Sequence, residues 1–171
     1  DGLIIDSKGP VSLDCCVDAD FAGNCNQKDA DDPRSACSRS GCVLTLGSAP
    51  VSWKSKMQTC IALSTMEAEH IALSAAMRSL IHLRGLLFEI ADSVELNLGT
   101  RLSTISAVFE DNSARRILAT TDPPRLAPRS KSLAVKHHWF RSHLSKDSIV
   151  INAISSEQQK GDGFTKSLAQ A

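Results

Sequence analysis

The chain has 171 residues, 42% of them apolar, and its 19 Lys and Arg balance 19 Asp and Glu. That length supports one domain with a sizeable core, and the composition excludes a disordered chain. The longest uninterrupted apolar runs fall far short of a membrane span and no basic segment opens onto an apolar one, so an intracellular protein with no membrane partner is expected.

The six cysteines, Cys15, Cys16, Cys25, Cys37, Cys42 and Cys60, all fall within the first 60 residues and contain no CxxC pair. Their spacing disfavours a disulfide framework and a zinc site, and reduced, mostly buried thiols are expected. Charge is uneven along the chain. Six aspartates lie between Asp14 and Asp32 against Lys28, whereas Ser113 to Lys146 holds eight Lys or Arg against Asp122. An acidic pocket beside a phosphate-binding flank has that polarity, and so do two solvated faces without a partner.

Residues 1–10 end in Lys8-Gly9-Pro10 and read as a connection segment, which leaves 11–171 as the domain. From Ser12 to Asp18, Leu13, Cys15 and Val17 alternate with Ser12, Asp14 and Cys16, the pattern of a strand with one covered face, and Asp18 stands at its end. Phe21 to Pro33, rich in Asn, Asp and Gly, reads as a long irregular loop. Ser38 to Gly47 and Pro50 to Ser55 read as two strands joined through Gly47-Ser48-Ala49-Pro50, completing an antiparallel meander. Ser64 is then a natural N-cap, and Glu67 three residues on makes a capping box that opens a long helix reaching Ile90. Ile71, Ala75, Leu83, Leu86, Leu87 and Ile90 recur at helical spacing, and this stripe is expected to pack on the sheet.

Past a polar connector, the apolar run Ile105 to Asp111 reads as a buried strand. A helix between two strands predicts a right-handed crossover to a parallel neighbour. Asn112 to Ala119 is predicted as a short helix stopped by Asp122-Pro123-Pro124, and Lys131 to Lys146 as a second, basic one. Ser148 to Ile154 alternates as a fifth strand. Ser156 with Gln159 reads as another capping box, opening a terminal helix that contains Asp162.

In this α/β order an acid stands at four structural edges. Asp18 ends the first strand, Glu69 lies early in the long helix, Asp111 ends the fourth strand and Asp162 begins the last helix. Each alone has an ordinary use, as a turn former, an exposed helix residue, an Asx cap or a first-turn acid. Together they fit a site beyond the carboxyl ends of parallel strands. Clustered carboxylates raise one another's pKa unless a cation compensates them. Hard oxygen donors without Cys or His suit Mg²⁺ or Mn²⁺, and two ions about 4 Å apart activate water and stabilise a leaving oxygen in phosphodiester cleavage.

Four segments resemble the RNase H domain of Copia-type LTR retrotransposon Pol polyproteins. They are VDADFAG (Val17 to Gly23), SRSGCVLTLGSAPVSWKSKMQTCIALSTMEAEHIALS (Ser38 to Ser74), EDNSARRI (Glu110 to Ile117) and EQQKGDGFTKSL (Glu157 to Leu168). The resemblance implies an RNase H-like α/β fold: a mixed five-stranded sheet, three antiparallel strands followed by two that pair parallel, flanked by helices. It implies cleavage of the RNA strand of an RNA–DNA hybrid during reverse transcription, with two Mg²⁺ or Mn²⁺ ions held by Asp18, Glu69, Asp111 and Asp162, and Asp20 close by. Glu69 rather than Glu67 takes the ligand role, because it directly precedes His70-Ile71-Ala72 and Glu67 serves the cap.

Ser38, Arg39, Ser64 and Asn112 are then candidate contacts to the hybrid's minor groove, where the 2′-hydroxyl is exposed. Arg115, Arg116, Lys131, Lys136 and Arg141 are candidates for holding the DNA strand's phosphates. The implied partners are the hybrid and an adjoining reverse transcriptase, in a cytoplasmic virus-like particle or the nucleus. Some positions depart from the family pattern. Cys16, Cys42 and His70 stand where relatives usually carry Tyr, and Arg129 to Ala134 replaces an Arg-Thr-Lys-His-Ile-Asp run. Gly161 and Gly163 flank Asp162, each at about 1 kcal/mol in a helix interior. These departures keep open a decayed domain that binds nucleic acid or braces a reverse transcriptase without cleaving. An integrase-like nuclease on the same fold would instead prefer duplex DNA.

Overall fold

A computed structural model describes residues 11–23, 25, 31–93, 102–111, 139–144 and 148–166. Three consecutive strands, β1 (Leu13–Asp20), β2 (Arg39–Leu46) and β3 (Ala49–Met57), form an antiparallel meander. A 29-residue helix, α1 (Thr65–Ser93), leads to β4 (Ser106–Glu110), and β5 (Ile149–Ala153) follows. The sheet order is β3-β2-β1-β4-β5, with β4 parallel to both β1 and β5. This is the mixed sheet expected from the sequence. The β2–β3 hairpin turns through Gly47 and Ser48, both at positive φ, which primed hairpin turns require.

The core lies between α1 and one sheet face. Leu13, Cys15 and Val17 of β1, Cys42 and Leu44 of β2, Val108 of β4 and Ile149 of β5 meet Ala68, Ala72, Leu73, Ala76, Met77 and Leu80 of α1. Of the stripe its large residues predict, Ile71, Leu83 and Leu87 pack partly buried against this core, while the fully buried positions are others. Ala75 is exposed, as are Leu86 at 50% and Ile90 at 44%. Two physical reasons account for this. Ala68, Ala72 and Ala76 recur every four residues and let the helix backbone approach the sheet closely. At 1.5 Å per residue α1 is roughly 44 Å long, whereas an eight-residue strand spans about 26 Å, so the helix outruns its sheet and full burial ends at Leu80. Among the described residues α1 is also the one helix long and apolar enough to cross a membrane by length and composition. Its inner face nevertheless carries the buried polar residues Glu69, His70 and Ser74.

The predicted helix over 131–146 is, in its described part, a 3₁₀ turn at Trp139–His143. It docks on α1 through the Trp139 indole, which donates to Ser74 Oγ at 3.0 Å, and through fully buried Phe140 beside the His70 ring. The predicted helix at 112–119 and the segment 1–10 lie outside the described residues. All six cysteines are free thiols; Cys15, Cys16 and Cys42 are buried, while Cys25 and Cys60 are exposed.

The terminal segment also differs from expectation. Instead of one α-helix it makes two 3₁₀ turns, Ser156–Gln158 and Lys160–Phe164. Ser156 and Gln159 do not cap each other: the Ser156 hydroxyl donates to Asp111 Oδ2 at 3.1 Å, and the Gln159 amide turns into the sheet. Gly161 explains the geometry. Its backbone lies so close to β1 that a Cβ there would stand 3.0 Å from the Asp18 nitrogen. From the other side, a Cβ on Gly41 would meet Gly161 O at 2.8 Å and Thr165 Cγ2 at 2.7 Å. Two glycines thus let the last turn seat directly on β1 and β2.

Gly41→Ala should accordingly cost about 1–3 kcal/mol, as overpacking does. A Cβ on Gly163 would meet nothing within 4 Å, and Gly163→Ala should hold or modestly raise stability. Urea denaturation of the two variants checks both; an equal loss from each would refute the packing argument.

Candidate metal centre

Strand register delivers the first two acids. Cys16 pairs with Phe109 across the parallel β1–β4 ladder, so Asp18 and Asp111, each two residues further on, leave the sheet at one level. On its other side Asp18 pairs with Gly41 of β2. The start of α1 delivers the third. Ser64 Oγ accepts the Glu67 N–H at 3.1 Å, and Glu67 Oε2 accepts the Leu63 N–H at 2.8 Å, a capping box whose return bond reaches one residue further back than the usual pattern. With the helix start so fixed, Glu69 falls on the inner face and is 5% exposed. One carboxylate oxygen from each of Asp18, Glu69 and Asp111 lies within 4.8 Å of the others.

Burial pushes the Asp18 pKa up, and the charges of Asp162 and Asp111 push the same way, against a hydrogen bond from Thr165 that favours the charged form. The Thr165 hydroxyl stands 2.7 Å from Asp18 Oδ2. Asp162 is not a member of the close cluster. Its Oδ2 is 2.5 Å from Lys166 Nζ, an ion pair between residues four apart. Three hard oxygen donors, two of them buried and all of like charge, match a divalent cation of the Mg²⁺ or Mn²⁺ type.

The other sequence candidates are dispersed. Ser38 is fully buried, its hydroxyl accepting the Ala22 N–H at 3.2 Å where Ala22 adopts positive φ. Arg39 donates to Ser55 Oγ at 3.3 Å, Ser64 caps α1, and Arg141 is half-buried in the Trp139–His143 turn. The Asp20 carboxylate folds back over Gly23. Asn112, Arg115, Arg116, Lys131 and Lys136 lie outside the described residues.

Sequence reasoning missed two features. Gln159 and Thr165, 5% and 2% exposed, come from a segment with the pattern of an ordinary helix opening. Lys54, Lys56 and Arg78 line a groove of about 210 Å³ between β3 and α1, together with Ser40, Gln58 and Thr59. The signal for the second lies in Trp53-Lys54-Ser55-Lys56, since residues two apart on a strand share a face.

No family model matches the chain. It is 30% identical over 150 residues to the retrovirus-related Pol polyprotein of transposon TNT 1-94 from Nicotiana tabacum, covering 88% of this chain and 10% of the relative. It is 28% identical over 169 residues to that of transposon RE1 from Arabidopsis thaliana, covering 99% of this chain and 10% of the relative. The chain thus spans about a tenth of the length of these relatives. Among solved structures, the N-terminal RNase H domain of a Mycobacterium tuberculosis protein superposes with a TM-score of 0.56 at 15% identity, covering 91% of both chains. LC11-RNase H1, isolated from compost, gives 0.60 at 15% identity over 90% of this chain and 91% of that one. The same enzyme in complex with an RNA/DNA hybrid gives 0.52 at 14% identity over 90% and 93%.

The raised Asp18 pKa has a consequence for stability. The folded protein holds the Asp18 proton more tightly than the unfolded chain does. This group's stabilising contribution is therefore complete below the unfolded value near 3.8 and is lost as pH rises through the higher folded value. In chelator, Asp18→Asn, which keeps an acceptor for Thr165 and carries no charge, should raise the melting temperature at pH 7 and change it little at pH 3. Thermal melts at both pH values decide this, and a lowered melting temperature at pH 7 would contradict it.

Proposed function

We propose that this chain, homologous to a segment of the retrovirus-related Pol polyproteins of plant transposons and built on the RNase H fold, is a ribonuclease H. In this reading it hydrolyses the RNA strand of an RNA–DNA hybrid with Mg²⁺ or Mn²⁺. The observation that carries the reading is the meeting of Asp18, Glu69 and Asp111, from three separate elements, within 4.8 Å at the carboxyl edge of a parallel strand pair.

Those three acids would hold a first ion, which when bound supplies positive charge to the scissile phosphate and lowers the pKa of the attacking water. Asp18 and Asp111 present oxygens from the sheet edge, and Glu69 closes the set from α1. Ser156, donating to Asp111 Oδ2, fixes that carboxylate from outside. Asp162 would hold a second ion, whose charge would compete with the Lys166 ammonium now 2.5 Å from Asp162 Oδ2. That ion pair is also the observation favouring the alternative, a domain that binds hybrid without cleaving it. In a longer polyprotein we place an adjoining reverse transcriptase as partner, within a virus-like particle or the nucleus.

The β3–α1 groove suits the substrate's phosphates. Lys56 pairs with Ser40, and Ser40 with Ala19, the residue after Asp18. At about 4.8 Å per strand, Lys56 stands roughly 10 Å across the sheet from Ala19. Lysines on an edge strand also discourage edge-to-edge pairing, so their two uses need separating.

With Mg²⁺ and a labelled RNA–DNA hybrid, the chain should cleave the RNA strand. Asp111→Asn and Glu69→Gln should each abolish cleavage, whereas Glu67→Gln, which keeps an acceptor for the Leu63 N–H, should retain most of it. Binding without hydrolysis at any metal concentration would establish the alternative, and preference for duplex DNA would overturn both readings.

For the groove, the doubly substituted Lys54→Gln, Lys56→Gln protein should bind hybrid more weakly in Ca²⁺. The slope of log affinity against log salt should become shallower by about one for each phosphate no longer neutralised. An unchanged slope with increased self-association would assign these lysines to protecting the sheet edge instead.

A further inference from the structure

The two buried polar side chains of the terminal segment, Gln159 and Thr165, have no part in that reading, yet Thr165 bonds to one of the acids it uses and Gln159 to the strands that carry two of them. Gln159 Nε2 lies 3.0 Å from Val17 O and 3.4 Å from Phe109 O, and its Oε1 accepts the Gly161 N–H at 3.1 Å. The β1–β4 ladder's last pair is Cys16 with Phe109. One amide nitrogen, with its two N–H groups, therefore takes up a carbonyl from each strand where ladder pairing gives out. The positions it ties are one residue before Asp18 and two before Asp111. Thr165 adds a direct contact. Its hydroxyl is 2.7 Å from Asp18 Oδ2 and 3.0 Å from the Asp162 carbonyl. A hydroxyl has one proton, and the shorter, charge-assisted bond to the carboxylate is the stronger claim on it.

We propose that Gln159 and Thr165 are positioning residues for the cation site. Gln159 sets the spacing of the two strands that deliver Asp18 and Asp111, and Thr165 fixes the plane of the Asp18 carboxylate. This rests on the reading of Asp18, Glu69 and Asp111 as a cation site. Neither side chain needs to touch the ion. The side chains sit where a small displacement is costly, since donors must converge to within a few tenths of an ångström of a fixed ligand distance. Groups that hydrogen-bond a metal's ligands typically account for ten- to a hundredfold in its affinity. Both residues are held by the contact of Gly161 and Gly41, so the terminal turn reaches the acids as a rigid unit.

The test is Mn²⁺ titration by calorimetry on the whole chain, with thermal melts in chelator run in parallel. Thr165→Val keeps the volume and the packing against Gly41 but loses the proton donor; Thr165→Ser keeps the donor. Thr165→Val should weaken Mn²⁺ binding about tenfold or more, while Thr165→Ser binds within about twofold of wild type. Gln159→Met, of similar length with no donor, should weaken it to a comparable degree with Thr165 intact. Folded variants that melt lower yet bind Mn²⁺ as wild type does would overturn the proposal, leaving both residues a purely structural role. Equal losses from Thr165→Val and Thr165→Ser would overturn the Thr165 assignment. Absence of Mn²⁺ binding by the wild type would overturn the cation site itself and this inference with it, a result distinct from either.

Discussion

Three carboxylates whose oxygens approach within 4.8 Å repel one another, and Asp18 and Glu69 have in addition been taken out of water. Both effects raise the Asp18 pKa. The fold holds the acids together regardless: a parallel strand pair fixes two at one level, a capped helix start turns the third inward, and a terminal turn bonds back to Asp18 and Asp111. Each of these devices is far stiffer than a loop. The cluster is consequently a place where the folded chain concentrates negative charge, which a divalent cation would relieve. Lys166 supplies a positive charge at the margin, on Asp162.

The strands and the acids at their ends are legible in the sequence because they depend on local pattern. Period-two alternation over Ser12 to Asp18 and the apolar run at Ile105 to Asp111 identify β1 and β4, and Asp18 and Asp111 sit at their carboxyl ends. Ser64 and Glu67 fix the start of α1, from which the inward direction of Glu69 follows. The face of α1 is not legible in the same way. Counting large apolar residues favours the stretch from Leu83 to Ile90, of which Leu83 and Leu87 pack only partly buried, whereas the sheet fully covers Ala68, Ala72 and Ala76, whose small volume allows close approach. Periodicity also carries no information on where a neighbouring sheet ends, which is what leaves Leu86 and Ile90 in solvent.

The terminal segment defeats sequence reading for a related reason. Ser156 and Gln159 have the spacing of a capping box, and in isolation that spacing would satisfy the nearest backbone donors. Tertiary partners outcompete it. Val17 O and Phe109 O lie 142 and 50 residues from Gln159 in sequence, and no local pattern shows that they come within its reach. Gly161 likewise reads as a weak point beside an acid when only helix propensity is weighed. In the fold its missing side chain is what brings the turn onto β1.

The bond between Asp18 and Thr165 spans 147 residues and thereby sets a schedule. A chain emerging from the ribosome offers the β1–β3 meander and α1 early, as one contiguous stretch with mostly short-range connections. The amide that ties β1 to β4 and the hydroxyl that orients the first acid arrive only after all five strands. Synthesis interrupted before Gln159 would leave the sheet and the helix without the side chains that bond to Val17 and Asp18, so the site is completed after the sheet that carries it.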